Sequence, residues 1–75
     1  MLIFDKLFAL LKKLGMTIRE LAEQAGISEA TLRRMRLNSL RLKNDPYYPS
    51  SASLTQICRV LHCRFSDILD YVPLP

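Results

Sequence analysis

Two groups of side chains in this 75-residue sequence have chemistry to offer. The first is Cys58, His62 and Cys63. Zinc needs about four convergent ligands, and the whole chain holds two Cys and one His. On one continuous helix turning ~100° per residue, thiols five positions apart fall on well-separated faces. Cys58 also lies on an apolar stripe, where a small buried hydrophobe is expected. No glycine-rich phosphate loop is present, and no Ser, Cys or carboxylate is spaced beside a base. An enzyme is therefore the least supported class, and neither a catalytic residue, a metal, a cofactor nor a small-molecule ligand is expected. The second group is Glu29, Ala30, Thr31, Arg33, Arg34 and Arg36, short-chained at its N-terminal end and strongly basic after it. For any one arginine a solvated charge is the plain alternative. For three on a single exposed face, bulk water alone is an unusual neighbour.

Charge distribution points the same way. Residues 1–43 carry nine Lys or Arg against four Asp or Glu, and residues 44–75 carry two against three. Such asymmetry favours a polyanionic partner. The composition, 49% hydrophobic and 24% charged, is neither that of a disordered chain nor that of a membrane span. The opening MLIFDKLFALLKKLG has an apolar stretch followed by Lys12 and Lys13, but Asp5 and Lys6 interrupt it. With no positive leader and no small-residue cleavage site it reads as a core helix, and a cytoplasmic address with no membrane partner is expected.

Positioning the basic run requires helices. Leu7, Leu10, Leu11 and Leu14 recur at helical spacing, and Gly15 supplies a left-handed stop, which places helix 1 at about residues 4–14. Thr17-Ile18-Arg19-Glu20 is a capping box, with Met16 and Leu21 as its hydrophobic staple. Helix 2 then runs to Ala25, about nine residues, and ends at Gly26. Ser28 caps helix 3, Ile27 and Leu32 repeat the staple, and the helix buries Leu32 and Met35 and continues at least to Asn38. Leu40 and Leu42 offer one further turn. Asn44-Asp45-Pro46 and Pro49 argue against regular structure in 39–50. One of Ser50, Ser51 or Ser53 caps helix 4, whose stripe is Leu54, Ile57, Cys58 and Leu61. A short fifth helix near Ser66 to Tyr71 contributes Phe65, Ile68 and Leu69 before Pro73. The sum is one all-α domain over residues 1–75, five helices with no convincing strand.

Two short helices joined through Gly26, with small Ala22 at their crossing and Ile27, Leu32 and Met35 locking the second, form a helix-turn-helix pattern over residues 17–38. A β-branched residue at Gly26 is expected to be costly, through its positive φ and the crowded crossing. Residues 5–72 resemble the Cro/repressor-type, or XRE, lambda-repressor-like family. The resemblance rests on LLKKLGMTIRELAEQAGISEATLRRM, on LTQICRVLHCRFSDILDYVP, and on the spacing from Ala22 through Gly26 and Leu32 to Met35. It departs in a Met35-to-Leu54 segment several residues longer than the family usually has, and in Phe65 where a Pro is often found.

That resemblance implies a compact lambda-repressor-like fold and a double-stranded DNA partner. Helix 3 would enter the major groove by its N-terminal part, putting Glu29, Ala30, Arg33 and Arg34 on the base-reading side. An Arg bonds guanine O6 and N7, a Glu accepts from cytosine N4, and an Ala meets a thymine methyl, with ~1–3 kcal/mol of discrimination per good bidentate contact. Phosphate contacts fall to Thr17, Arg19, Ser28 and Thr31 near the helix starts, and to Arg36, Arg41 and Lys43 further on. A repressor on a palindromic operator is implied, acting as a homodimer because one short helix reads few base pairs. The candidate dimer surfaces are the Phe4 and Phe8 side of helix 1, Tyr47 and Tyr48 in the inserted loop 39–50, and the tail beginning at Tyr71. The rival reading is a protein-binding module such as an antitoxin or an anti-CRISPR-associated regulator. The three arginines favour nucleic acid over it.

Overall fold

The computed structural model of the chain describes residues 1–40 and 47–73. Its elements run β1 (Leu2–Ile3), α1 (Asp5–Leu14), α2 (Ile18–Ala25), α3 (Glu29–Leu40), α4 (Ser51–Leu61), a 3₁₀ turn (Phe65–Asp67) and β2 (Asp70–Tyr71). Among the described residues there are thus four α-helices, not five, and the expectation of a strandless chain is also corrected. The proposed fifth helix closes after one turn. Asp67 Oδ2 accepts from the Arg64 N–H at 2.9 Å, and the Ile68 and Leu69 N–H groups both donate to the Phe65 carbonyl. The backbone beyond finds its partners in β1: β2 pairs with it antiparallel, Leu2 opposite Tyr71 and Ile3 opposite Asp70, and the Val72 N–H reaches the Met1 carbonyl at 2.8 Å. Lys6 Nζ straps α1 to this closing segment through the Ser66 carbonyl at 3.1 Å and Asp70 Oδ1 at 3.2 Å.

Helix starts follow cap chemistry, which supplies partners to N–H groups that a helix leaves unbonded. Thr17 Oγ1 accepts from the Glu20 N–H and Glu20 Oε1 accepts from the Thr17 N–H, both at 3.1 Å. Ser28 Oγ accepts from the Thr31 N–H at 3.1 Å, and Ser50 Oγ does the same for Ser53, which settles the helix 4 cap on Ser50. α2 is eight residues long and stops at Gly26, whose φ of 70° and ψ of 31° are left-handed. A Cβ built there meets nothing within 4 Å, so the expected crowding at this position is corrected. The strain of a substitution would come from φ alone.

α4 ends at a non-glycine. His62 has φ 53° and ψ 49°, and the chain doubles back so that the Cys63 N–H donates to the Cys58 carbonyl at 3.1 Å. This corrects the separation expected of the two cysteines. The helix stops before Cys63, and both thiols line one shallow cleft with Thr55, Arg59, His62 and Phe65. Burial pushes the Cys58 thiol up to about 11, and the neighbouring Cys63 and Asp67 add to the rise. Among the described residues no three Cys, His, Asp or Glu side chains converge as metal ligands.

The core gathers one face from every helix: Leu7 and Leu11 of α1, Leu21, Ala22 and Ala25 of α2, Leu32 and Met35 of α3, and Leu54, Ile57 and Cys58 of α4. Ile68 closes it from the segment between the 3₁₀ turn and β2. Truncating a fully buried Leu such as Leu21 or Leu32 to Ala would cost ~2–5 kcal/mol, so α2 and α3 are held in register by terms larger than any surface contact. No helix among the described residues is long and apolar enough to cross a membrane.

Candidate nucleic-acid interface

α3 turns its apolar side, Leu32 and Met35, into the core and leaves Ala30, Arg33, Arg34 and Arg36 exposed, with Glu29 and Thr31 half-buried. An ideal helix advances ~100° per residue, which spreads the three arginines over roughly 160°, with Arg33 between the other two. Ala30 and Arg33 lie on the ridge opposite the core, while Arg36 and Arg34 lie on opposite flanks.

Each arginine has its own support. Arg33 Nη2 stands 3.4 Å from Glu29 Oε1 one turn earlier, and both side chains are substantially exposed. Such a pair contributes only ~0.3–0.5 kcal/mol to stability, and its main effect is to bias the Arg33 rotamer. The Arg36 guanidinium lies over the Phe8 ring of α1, 5.2 Å from its centroid. The Arg34 guanidinium lies over the Tyr47 ring, 5.8 Å from its centroid. Exposed cation–π contacts of this kind are worth ~0.5–1 kcal/mol each.

Tyr47 is itself pinned by a residue the sequence reading passed over. Asn38 follows Leu32 and Met35 on the inward side of α3 and is only 1% exposed. Its Oδ1 accepts from the Tyr47 N–H at 2.9 Å, and its Nδ2 donates to the Tyr47 carbonyl and, at 3.3 Å, to the Leu2 carbonyl. One amide thereby joins α3, the return of the segment after α3, and β1. The available signal was an Asn in line with an apolar stripe, since a buried polar group must find partners.

The α2 side presents Thr17 and Arg19, both exposed. Thr17 Oγ1 is already an acceptor within its capping box, so its hydroxyl hydrogen is the group left to offer outward. Arg19 pairs with Glu23 at 3.5 Å in an open surface geometry. At the start of α3, the Ser28 and Thr31 hydroxyls bond one another at 2.9 Å. Arg41 and Lys43 lie outside the described residues.

The aromatic residues expected at a dimer surface separate into different environments. Phe4 is fully buried at the start of α1, which corrects its assignment to an interface: its ring is already spent in the core. Phe8 and Tyr47 are half-buried and pack against that core, each beneath an arginine. Tyr48 and Tyr71 are open, at 53% and 72% exposure.

A pair of helices joined through left-handed Gly26, the first burying small Ala22 in the shared core and the second presenting arginines to solvent, defines a helix-turn-helix protein. The sequence profile of the Cro/C1-type HTH DNA-binding domain matches residues 6–73, and the chain belongs to that family. No curated protein sequence matches it. Membership makes it a DNA-binding regulator whose partner is double-stranded DNA.

Proposed function

We propose that the chain is a sequence-specific repressor that binds a palindromic operator as a homodimer, with α3 in the major groove of each half-site. The observation that carries this reading is the α3 surface, where Arg33, Arg34 and Arg36 project into solvent, each held by a neighbour that biases its direction. Glu29, Ala30, Arg33 and Arg34 read base edges. Ala30 and Arg33 go deepest, being opposite the core, and Arg34 reads toward one side. Arg36 on the other flank contacts phosphate, with Thr17, Arg19, Ser28 and Thr31 at the helix starts, where the positive end of the helix dipole favours anions. Arg41 and Lys43 extend the same contact. The dimer contact falls to the open tyrosines, Tyr48 and Tyr71.

The test is direct. Duplexes selected from a random pool should converge on one inverted-repeat sequence, and log K for that site should fall steeply and linearly with log salt. Arg33→Ala should cost ~1–3 kcal/mol on the selected site and relax preference at one base pair, while leaving the helical fold intact. No DNA retention at low salt, or affinities of Arg33→Ala equal to the parent's on selected and scrambled DNA, would overturn the assignment.

A further inference from the structure

We propose that Tyr47 is a positioning residue for Arg34, and so a determinant of DNA sequence preference supplied from outside the helix-turn-helix. The proposal rests on the reading of α3 as the recognition helix.

Arg34 and Asn38 are four residues apart on α3 and therefore share one flank, one turn above the other. Asn38 holds Tyr47 from both sides of its peptide backbone, accepting from its N–H and donating to its carbonyl. That amide is buried, so water does not compete with these bonds. The Tyr47 backbone is thereby fixed against the recognition helix itself. Its ring is packed against the core and carries the Arg34 guanidinium. The chain of support runs from core to Asn38, from Asn38 to the Tyr47 backbone, and from the Tyr47 ring to Arg34. Among the described residues no ring stands over Arg33, which is steered by Glu29 from within α3.

The consequence is selective. A long arginine side chain loses rotamer freedom when it docks on a base, and a flat apolar ledge restricts it beforehand while leaving its N–H fork free. Removing the ledge should weaken the contact Arg34 makes and leave those of Arg33 untouched. A ring without the hydroxyl should serve as well, because the ring face carries the contact.

The experiment starts from the sequence the parent enriches from random duplexes. Affinities of the parent, Tyr47→Phe, Tyr47→Leu, Arg34→Ala and the double variant Arg34→Ala with Tyr47→Leu are then measured on that site and its single-base-pair variants. The expected result is that Tyr47→Leu loses roughly threefold or more of the discrimination, at the same base pair where Arg34→Ala loses it. Tyr47→Phe should keep it, and Tyr47→Leu should add nothing once Arg34 is Ala. Uniform weakening on all sequences, or an equal loss in the Arg34→Ala background, would mean that Tyr47 only holds the fold and would overturn the proposal. Unchanged discrimination in Tyr47→Leu would overturn it as well. A parent that enriches no sequence would remove the recognition-helix reading first and this proposal with it. Should Tyr47→Leu not fold, the free protein decides: Arg34 side-chain protons should show an upfield ring-current shift in the parent and in Tyr47→Phe, and its absence in both would refute the stacking.

Discussion

At the scale of single residues, what the sequence conceals is which polar side chains lie inside. The arginines of α3 are legible as a cluster because charge is exposed by default, but their supports, Tyr47 and Phe8, come from distant positions that no local pattern connects to them. Asn38 is half-legible: its spacing from Met35 places it inward, while its partners lie 9 and 36 residues away. Cys58 reads correctly as a small buried hydrophobe, yet its neighbour Cys63 is found only through the left-handed turn at His62. That burial has a measurable pH signature. Burial, with the neighbouring Cys63 and Asp67, pushes the Cys58 thiol up from 9.0 to about 11, so the folded state holds its proton more tightly. A raised value of this kind contributes stability that is fully present below pH 9 and is lost as pH rises toward 11. Chemical denaturation from pH 8 upward should show the parent losing stability faster than Cys58→Ala, whose curve carries only the other titrations. Parallel curves for the two proteins would mean that the thiolate is tolerated where it stands.

Among the elements, the helices that the sequence announces are those whose boundaries are set locally. Capping boxes, serine caps and glycine stops act within a few residues, and the end of α1, the whole of α2 and the start of α3 fall where those signals put them. The C-terminal segment is different. A two-residue strand has no periodicity to read, and β2 exists only because β1, at the far end of the chain, offers backbone partners. The segment from Phe65 onward therefore looks helical in isolation, yet in the fold it makes a single 3₁₀ turn and ends in a two-residue strand. Gly26 tests the local logic. With nothing within 4 Å of an added Cβ, a substitution there should be ranked by tolerance of positive φ and not by volume. Gly26→Asn should cost least, Gly26→Ala about 1 kcal/mol, and Gly26→Val most, ~2–3 kcal/mol or more than 8 °C in melting temperature. A series that follows side-chain size, with Asn as costly as Val, would show that the α2–α3 crossing is tighter than this geometry has it.

At the scale of the whole molecule, the question is how a body of 33 × 22 × 22 Å reads enough DNA. One recognition helix covers a few base pairs, and two copies with the dyad of a palindrome between them place their helices one turn apart, ~34 Å along the duplex. A body of this size spans that separation only if the copies touch near the dyad, through a small contact. Phe4 cannot serve, being fully buried, and Phe8 already lies beneath Arg36. Among the described residues Tyr71 is the most open large apolar side chain, on a strand tied to α1 through the Lys6 and Asp70 pair. A contact there would be transmitted to the helices through β1, which packs on α3 and whose Leu2 carbonyl accepts from Asn38 of that helix. Sedimentation of the parent at micromolar concentration with its selected palindrome should give two copies per duplex, bound cooperatively. Tyr71→Asp should abolish the cooperativity and leave half-site affinity and melting near the parent's, because the residue is exposed and its backbone pairing is unchanged. Retained cooperativity in Tyr71→Asp but not in Tyr48→Asp would move the contact to the segment preceding α4, and a single copy per palindrome would remove dimeric reading altogether.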